Sequence, residues 1–175
     1  MKAHNGFTLL ELVVLLAVVA ILLTMALPNF GATIKSNREL SEVSELASAL
    51  ALARNTAAQS GGDVFVCASA DGLTCTGGAW SQGFAVEYVS PPPRTSAVIR
   101  VFPALASGNT LVNSASDRIV FHASGATDLA GPATFTLCDS RGVSNARALD
   151  LLVSGLTETS TTLGQDVNGT PLVCS

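Results

Sequence analysis

Charge is scarce in this sequence. Asp, Glu, Lys and Arg make up 13% of its 175 residues, about half the usual share of a soluble domain. What charge there is leans acidic, with nine bases against thirteen acids and a formal net charge of −4. That balance argues against a nucleic-acid partner, because phosphates are held by Lys and Arg. Histidine is scarcer still, with two residues. His4 stands near the start. His122 falls in a period-two stretch, 118–122, and reads as a sheet residue rather than a base. There is no HExxH, no GxSxG and no glycine-rich phosphate loop. Asp139 and Asp150 have no evident acid–base partner. Catalysis needs groups paired for proton transfer or attack. None is visible, so neither an enzyme nor a cofactor is expected.

The four cysteines, Cys67, Cys75, Cys138 and Cys174, form no CxxC pair and have no His near them. Zinc spacing is absent, which points to disulfides rather than a metal and to an oxidising compartment such as a periplasm. Of the possible connectivities, the expected one is Cys67–Cys75, closing a short hairpin-like loop, and Cys138–Cys174, tying down the C-terminus.

What the sequence does have is one long apolar run. Between residues 7 and 30 Glu11 is the one charged side chain, and residues 12–28 have none. About 20 apolar residues in a helix cross a bilayer core of ~30 Å, so the run predicts a membrane helix. An acid costs roughly 2.5–3.5 kcal/mol at a bilayer centre and less near an end, so Glu11 calls for a partner. A cut after Gly6 would supply one. Phe7 would then carry a free ammonium four residues from Glu11 on the same helix face. An ordinary signal anchor explains the run but not the acid. Thr24-Met25-Ala26 weakly suits signal-peptide cleavage, but the run is longer than a signal peptide's apolar core. Lys2 precedes the run and Lys35 and Arg38 follow it, so flanking bases give the orientation little help.

Gly6-Phe7-Thr8-Leu9-Leu10-Glu11 resembles the processing site of type IV prepilins and type II secretion pseudopilins. Pro28-Asn29-Phe30 is similar to the place where a proline interrupts the membrane helix in that superfamily. The resemblance implies cleavage between Gly6 and Phe7 by a prepilin peptidase and N-methylation of Phe7. It also implies docking into a helical filament through Glu11 and a helix break at Pro28.

Beyond the run, Val43, Leu46, Leu50, Ala53 and Ala57 recur at steps of three and four, which predicts one apolar helix face. Glu39, Glu42 and Glu45 are expected on the other side with Arg38. The helix should run from residue 7 to about 60, bend or locally melt at Pro28, weaken at Gly31 and stop at Ser60-Gly61-Gly62. From Asp63 the period changes to two. Strands are expected at 63–67, 83–89, 97–102, 118–122, 135–138 and 148–153, with a loop at 70–78 and Pro91-Pro92-Pro93 ending the second strand. Residues 154–175 read as a loop with one closing strand near Leu172-Val173-Cys174. There is no internal repeat. The fold class is α+β: a long N-terminal helix, half for membrane or filament core and half amphipathic and packed, with an antiparallel sheet or sandwich. The expected divisions are a leader at 1–6, a transmembrane and filament-core segment at 7–30 and a periplasmic globular domain at 31–175.

A second set of segments appears in order: Leu52-Ala53-Arg54 with Ala57, Val64-Phe65-Val66-Cys67, Trp80-Ser81-Gln82-Gly83-Phe84, Ile119-Val120-Phe121 with Gly125, Thr134-Phe135-Thr136-Leu137-Cys138, and Arg141 with Ala146-Arg147-Ala148-Leu149. Together they resemble the GspH/FimT family of minor pilins and pseudopilins. The resemblance implies a minor pilin incorporated into a type IV pilus, helping to initiate or cap it. The alternatives are a type II secretion pseudopilin and a DNA-uptake minor pilin. The implied partners are other pilin and minor pilin subunits, the prepilin peptidase and an inner-membrane assembly platform. The implied place is the inner membrane, spanned once. Family members implicated in DNA uptake carry Gly-Arg-x-Arg after the last core strand. Here Gly155-Leu156-Thr157-Glu158 lacks both arginines, which argues against DNA binding at that place.

Overall fold

The computed structural model describes residues 7–90 and 96–174, and for residues 25–29 the backbone alone. The expected leader and Pro91-Pro92-Pro93 lie outside the described residues. By internal packing the chain divides into two compact units, Met1–Asn37 and Arg38–Ser175.

The described part of the first unit is the opening of α1 (Leu9–Ser60). Thr8 starts the helix. Its carbonyl accepts the Leu12 N–H at 3.2 Å and its hydroxyl accepts the Glu11 N–H at 3.3 Å, the two bonds that define an N-cap. The helix is assigned without interruption across positions 28 and 31. Of the two effects expected of Pro28, a bend or local melting, the backbone shows no melting. A proline removes one N–H and displaces one carbonyl, and the helical turns on both sides hold.

The second unit contains the rest of α1 and eight strands: β1 (Asp63–Ala68), β2 (Phe84–Val89), β3 (Ser96–Phe102), β4 (Thr110–Asn113), β5 (Arg118–Phe121), β6 (Ala133–Cys138), β7 (Arg147–Leu151) and β8 (Thr157–Thr159). They form two antiparallel four-stranded sheets, ordered β3-β2-β1-β5 and β4-β6-β7-β8. One core joins them. Val43, Leu46, Leu50, Ala53 and Ala57 of α1 cluster with Val64, Val66, Phe84 and Ile119 of the first sheet and Leu111, Phe135, Leu137 and Leu149 of the second. Each large side chain so buried contributes about 1.5–3 kcal/mol. Trp80 packs edge-on against Phe135, with ring centroids 5.1 Å apart. Gly83 follows it at φ +120°, where a Cβ would stand 2.8 Å from the Phe102 carbonyl oxygen. That close approach explains the glycine between Trp80 and Phe84.

The α+β class and the apolar face of α1 are as expected, and four details differ. β4 and β8 were not foreseen, because Thr110-Leu111-Val112-Asn113 and Thr157-Glu158-Thr159 carry too little alternation to signal a strand. Their ladders come from pairing with β6 and β7, a case of context overriding propensity. The closing strand near Leu172 does not form; an isolated bridge joins Gln165 and Pro171 instead. β5 stops at Phe121, because the His122 N–H turns to the Ala126 carbonyl at 2.9 Å. β7 stops at Leu151, because the Leu152 N–H closes a turn on the Leu156 carbonyl at 2.9 Å.

Candidate functional site

The first place with chemistry is the start of α1. Every residue from Phe7 to Thr24 is exposed, including Phe7 at 75%, Leu9 at 81% and Leu10 at 76%. Uncovered apolar surface on this scale marks a surface meant for another apolar phase. Among the described residues no helix is long and apolar enough to cross a membrane, and the expected span, 7–30, includes the five positions whose side chains lie outside the described residues. Glu11 is the third residue of the helix, where the helix dipole favours an anion. In the uncleaved chain the Phe7 nitrogen is a peptide nitrogen, so its ammonium partner does not exist in this form. The cap residue Thr8 escaped the sequence reading, although Thr8-Leu9-Leu10-Glu11 has the spacing of a capping box.

The second place is a buried charge cluster in the second unit. Glu39 was expected outside with Arg38. It is instead fully buried, because it lies four residues before Val43 on the same helical stripe. Its Oε2 accepts a hydrogen bond from Arg141 Nη2 and lies 3.9 Å from Arg147 Nε. Arg141 Nε also donates to Asp139 Oδ2 at 2.7 Å, and its backbone N–H donates to Asp139 Oδ1 at 2.7 Å. Asp139 is therefore held by an arginine and has no proton-transfer partner in this cluster. The side chains of Arg141 and Arg147 are only 17% and 19% exposed, so both arginines face carboxylates rather than solvent. Burial lifts the Glu39 carboxyl above the usual carboxylate range, Asp139 adds to the lift, and the two arginines oppose it. Glu39 Oε1 is buried without a hydrogen-bond partner. Glu42, also expected outside, is half-buried. Its oxygens accept the Ala106 N–H at 2.9 Å and the Asn109 side-chain amide at 2.6 Å.

The disulfides are Cys67–Cys75 and Cys138–Cys174. Within the first loop, Asp71 accepts N–H bonds from Leu73 at 2.8 Å and Thr74 at 2.9 Å and hydroxyl bonds from Thr74 and Ser69. Those donors hold its carboxyl well below the usual range. The Cys75 N–H donates to Glu87 Oε1 at 2.7 Å. The second disulfide fixes the C-terminal segment, where the Val167 N–H donates to Asp150 Oδ2 at 3.1 Å and Leu172 is buried with Cys138, Ala146 and Ala148.

His122, just past β5, has Nδ1 2.9 Å from Asp63 Oδ1, and both side chains are about half exposed, at 48% and 51%. No group of three or more His, Cys, Asp or Glu among the described residues could hold a metal ion. Gly155 sits at φ +80°, where a Cβ would lie 2.1 Å from the Gly125 carbonyl oxygen. The segment 155–158 is thus a packed glycine turn leading into β8, with Glu158 exposed.

A long capped helix with an uncovered apolar start, followed by antiparallel sheets on its second half, defines a pilin-like α+β protein. The profile of the family described as Type II transport protein GspH matches residues 42–157, and that of the prokaryotic N-terminal methylation motif matches residues 1–27. The chain belongs to the GspH family of minor pilins and pseudopilins. Its structure is similar to the type IV minor pilin FimU of Pseudomonas aeruginosa, at 20% identity and a TM-score of 0.58, over 73% of this chain and 96% of that one. It is also similar to the minor pseudopilin EpsH of the Vibrio cholerae type 2 secretion system, at 12% identity and a TM-score of 0.53, over 70% and 95%. At these identities the likeness shows the fold. A search of curated proteins gave no match.

Proposed function

We propose that this chain is a minor subunit of a type IV pilus, held in the inner membrane by its single apolar helix, with the globular domain in the periplasm. The peptidase cuts between Gly6 and Phe7 and Phe7 is methylated. The subunit then enters the filament among other pilins, through the assembly platform, and helps initiate or cap it. The observation that carries this reading is the bare apolar stretch from Phe7 to Leu23, in which Glu11 is the one charge. Such a surface is covered either by lipid or by like helices, and a subunit that passes from one to the other needs both. The family description favours a second reading, a minor pseudopilin of a type II secretion machine. Deleting the gene separates the two. The pilus reading expects surface pili to be lost, secreted enzymes to be unchanged, and the protein to be present in sheared pili. Loss of secretion with pili intact would assign the chain to the secretion machine.

A further inference from the structure

A sheet edge presents unpaired N–H and C=O groups, and proteins shorten, cover or charge their edges against unwanted pairing. Three of the four edges are short or covered. β4 has four residues and β8 has three. β5 is covered by the chain that follows it: the Asp128 N–H donates to the Val120 carbonyl at 3.0 Å, Asp128 Oδ1 accepts the Val120 N–H at 3.0 Å, and Phe121 bridges Thr127.

β3 is neither short nor covered among the described residues, and its protection is one charge, Arg100, and a bulge at Ile99. It has seven residues and no Pro or Lys, and Ser96 through Arg100 are all exposed. Val98 and Ile99 are 42% and 38% exposed. Val86 pairs with Arg100 and Glu87 with Val98, so Ile99 has no partner on β2. The register sets Val98 and Val101 on the same face as Phe65, an aliphatic strip beside the open edge.

Charge narrows what fits there. Arg100 is the one charge on β3. Its guanidinium lies over the Phe102 ring, 4.8 Å from the centroid, and it has no ion-pair partner among the described residues. The one acid of the neighbouring β2, Glu87, already accepts the Cys75 N–H. The edge therefore offers main-chain groups, aliphatic side chains and positive charge, with no available acid. Pairing with a second copy would crowd two Arg100 side chains onto one short ladder.

We propose that the open edge of β3 receives an extended segment of another protein, rich in alternating aliphatic and acidic residues, as an added strand. Main-chain hydrogen bonds supply the attachment and alternate side chains the selection. Arg100 takes a carboxylate of the segment in a charge-assisted bond.

The test uses the full chain in detergent micelles and a fluorescent peptide of about ten residues alternating valine and glutamate. Two controls are a peptide with lysine for glutamate and one with alternate main-chain nitrogens methylated. Saturable binding is expected for the glutamate peptide alone, with slowed hydrogen exchange confined to 96–102. Arg100→Glu should weaken it about tenfold or more, the scale of one lost charge-assisted bond. Val98→Asn, which removes an aliphatic contact at an exposed position without adding charge, should weaken it as well. Absence of binding, equal binding of the lysine or methylated peptide, or protection outside β3 would each overturn the proposal. So would concentration-dependent self-association abolished by the same substitutions, which would assign the edge to a second copy.

Discussion

Glu39 on α1 accepts a hydrogen bond from Arg141, 102 residues further along the chain. The bond ties the turn after β6 to the helix at the point where the helical stripe becomes core. A buried ion pair of this kind adds little net stability over an apolar pair, yet losing one partner leaves the other charge buried and unpaired.

Arg141→Leu is therefore expected to cost about 3–5 kcal/mol, and Arg147→Leu less, because its nitrogen stands 3.9 Å from the carboxylate. Adding Glu39→Met to Arg141→Leu should recover about 0.5–3 kcal/mol, the usual range of coupling between contacting residues. Chemical denaturation of the four proteins completes the cycle. Strict additivity would show that the pair is not coupled.

The same carboxyl sets a pH dependence. Its pKa is raised above the reference value of 4.5 in the folded chain, so between that value and the folded pKa the native state holds more proton than the unfolded one. Stability from this group is therefore full below pH 4.5 and falls as pH rises through the folded pKa. Asp71, and Asp166, whose Oδ1 accepts the Thr170 and Asn168 N–H bonds, act oppositely, since their lowered pKa values give stability that is lost as pH falls below 3.8. Thermal melts of wild type and Glu39→Gln across this range isolate the first effect. The wild-type curve should decline from pH 4.5 upward relative to the variant, and parallel curves would refute it.

The two disulfides should differ in worth. Cys138–Cys174 spans 36 residues and Cys67–Cys75 spans 8. In the chain-entropy account these loops correspond to about 4 and about 2.5 kcal/mol. Replacing each pair by serines and measuring denaturant midpoints should rank them in that order.

Much of this architecture was readable in the sequence, and most of what was not depends on partners distant along the chain. The stripe Val43, Leu46, Leu50, Ala53, Ala57 was legible because apolar periodicity is local. So was the pairing of Cys67 with Cys75, eight residues apart. Glu39 was misplaced because a carboxylate reads as solvent-facing until its partners are known, and those stand at 141 and 147. β4 and β8 were missed for the same reason, since their ladders are supplied by strands distant in sequence. The cap at Thr8 is local, and its signal is the three-residue spacing to Glu11.

Processing is expected to need Gly6, which has no side chain to obstruct a peptidase. Gly6→Val should leave the precursor uncut, and mass spectrometry of membrane fractions should then find residues 1–6 still attached. A mature N-terminus at Phe7 in the variant would rule this out.

Glu11→Val should be inserted and cleaved normally but enter filaments poorly, because the Phe7 ammonium would lose its counter-charge at a cost of roughly 3–5 kcal/mol. Immunoblots of sheared filaments and cell membranes measure the partition. Wild-type levels in filaments would reduce Glu11 to a helix-end anion placed for the dipole.

The bare helix from Phe7 to Leu23 has a consequence for where assembly draws its driving force. Moving it from acyl chains to a bundle of similar helices exchanges one oily solvent for another, so water gains almost nothing and the hydrophobic effect is nearly silent. On the proposed reading, direction must then come from close packing and the few polar atoms near the helix end, or from mechanical work done on the subunit. The aliphatic residues set which media the helix tolerates, and they leave open which way it travels.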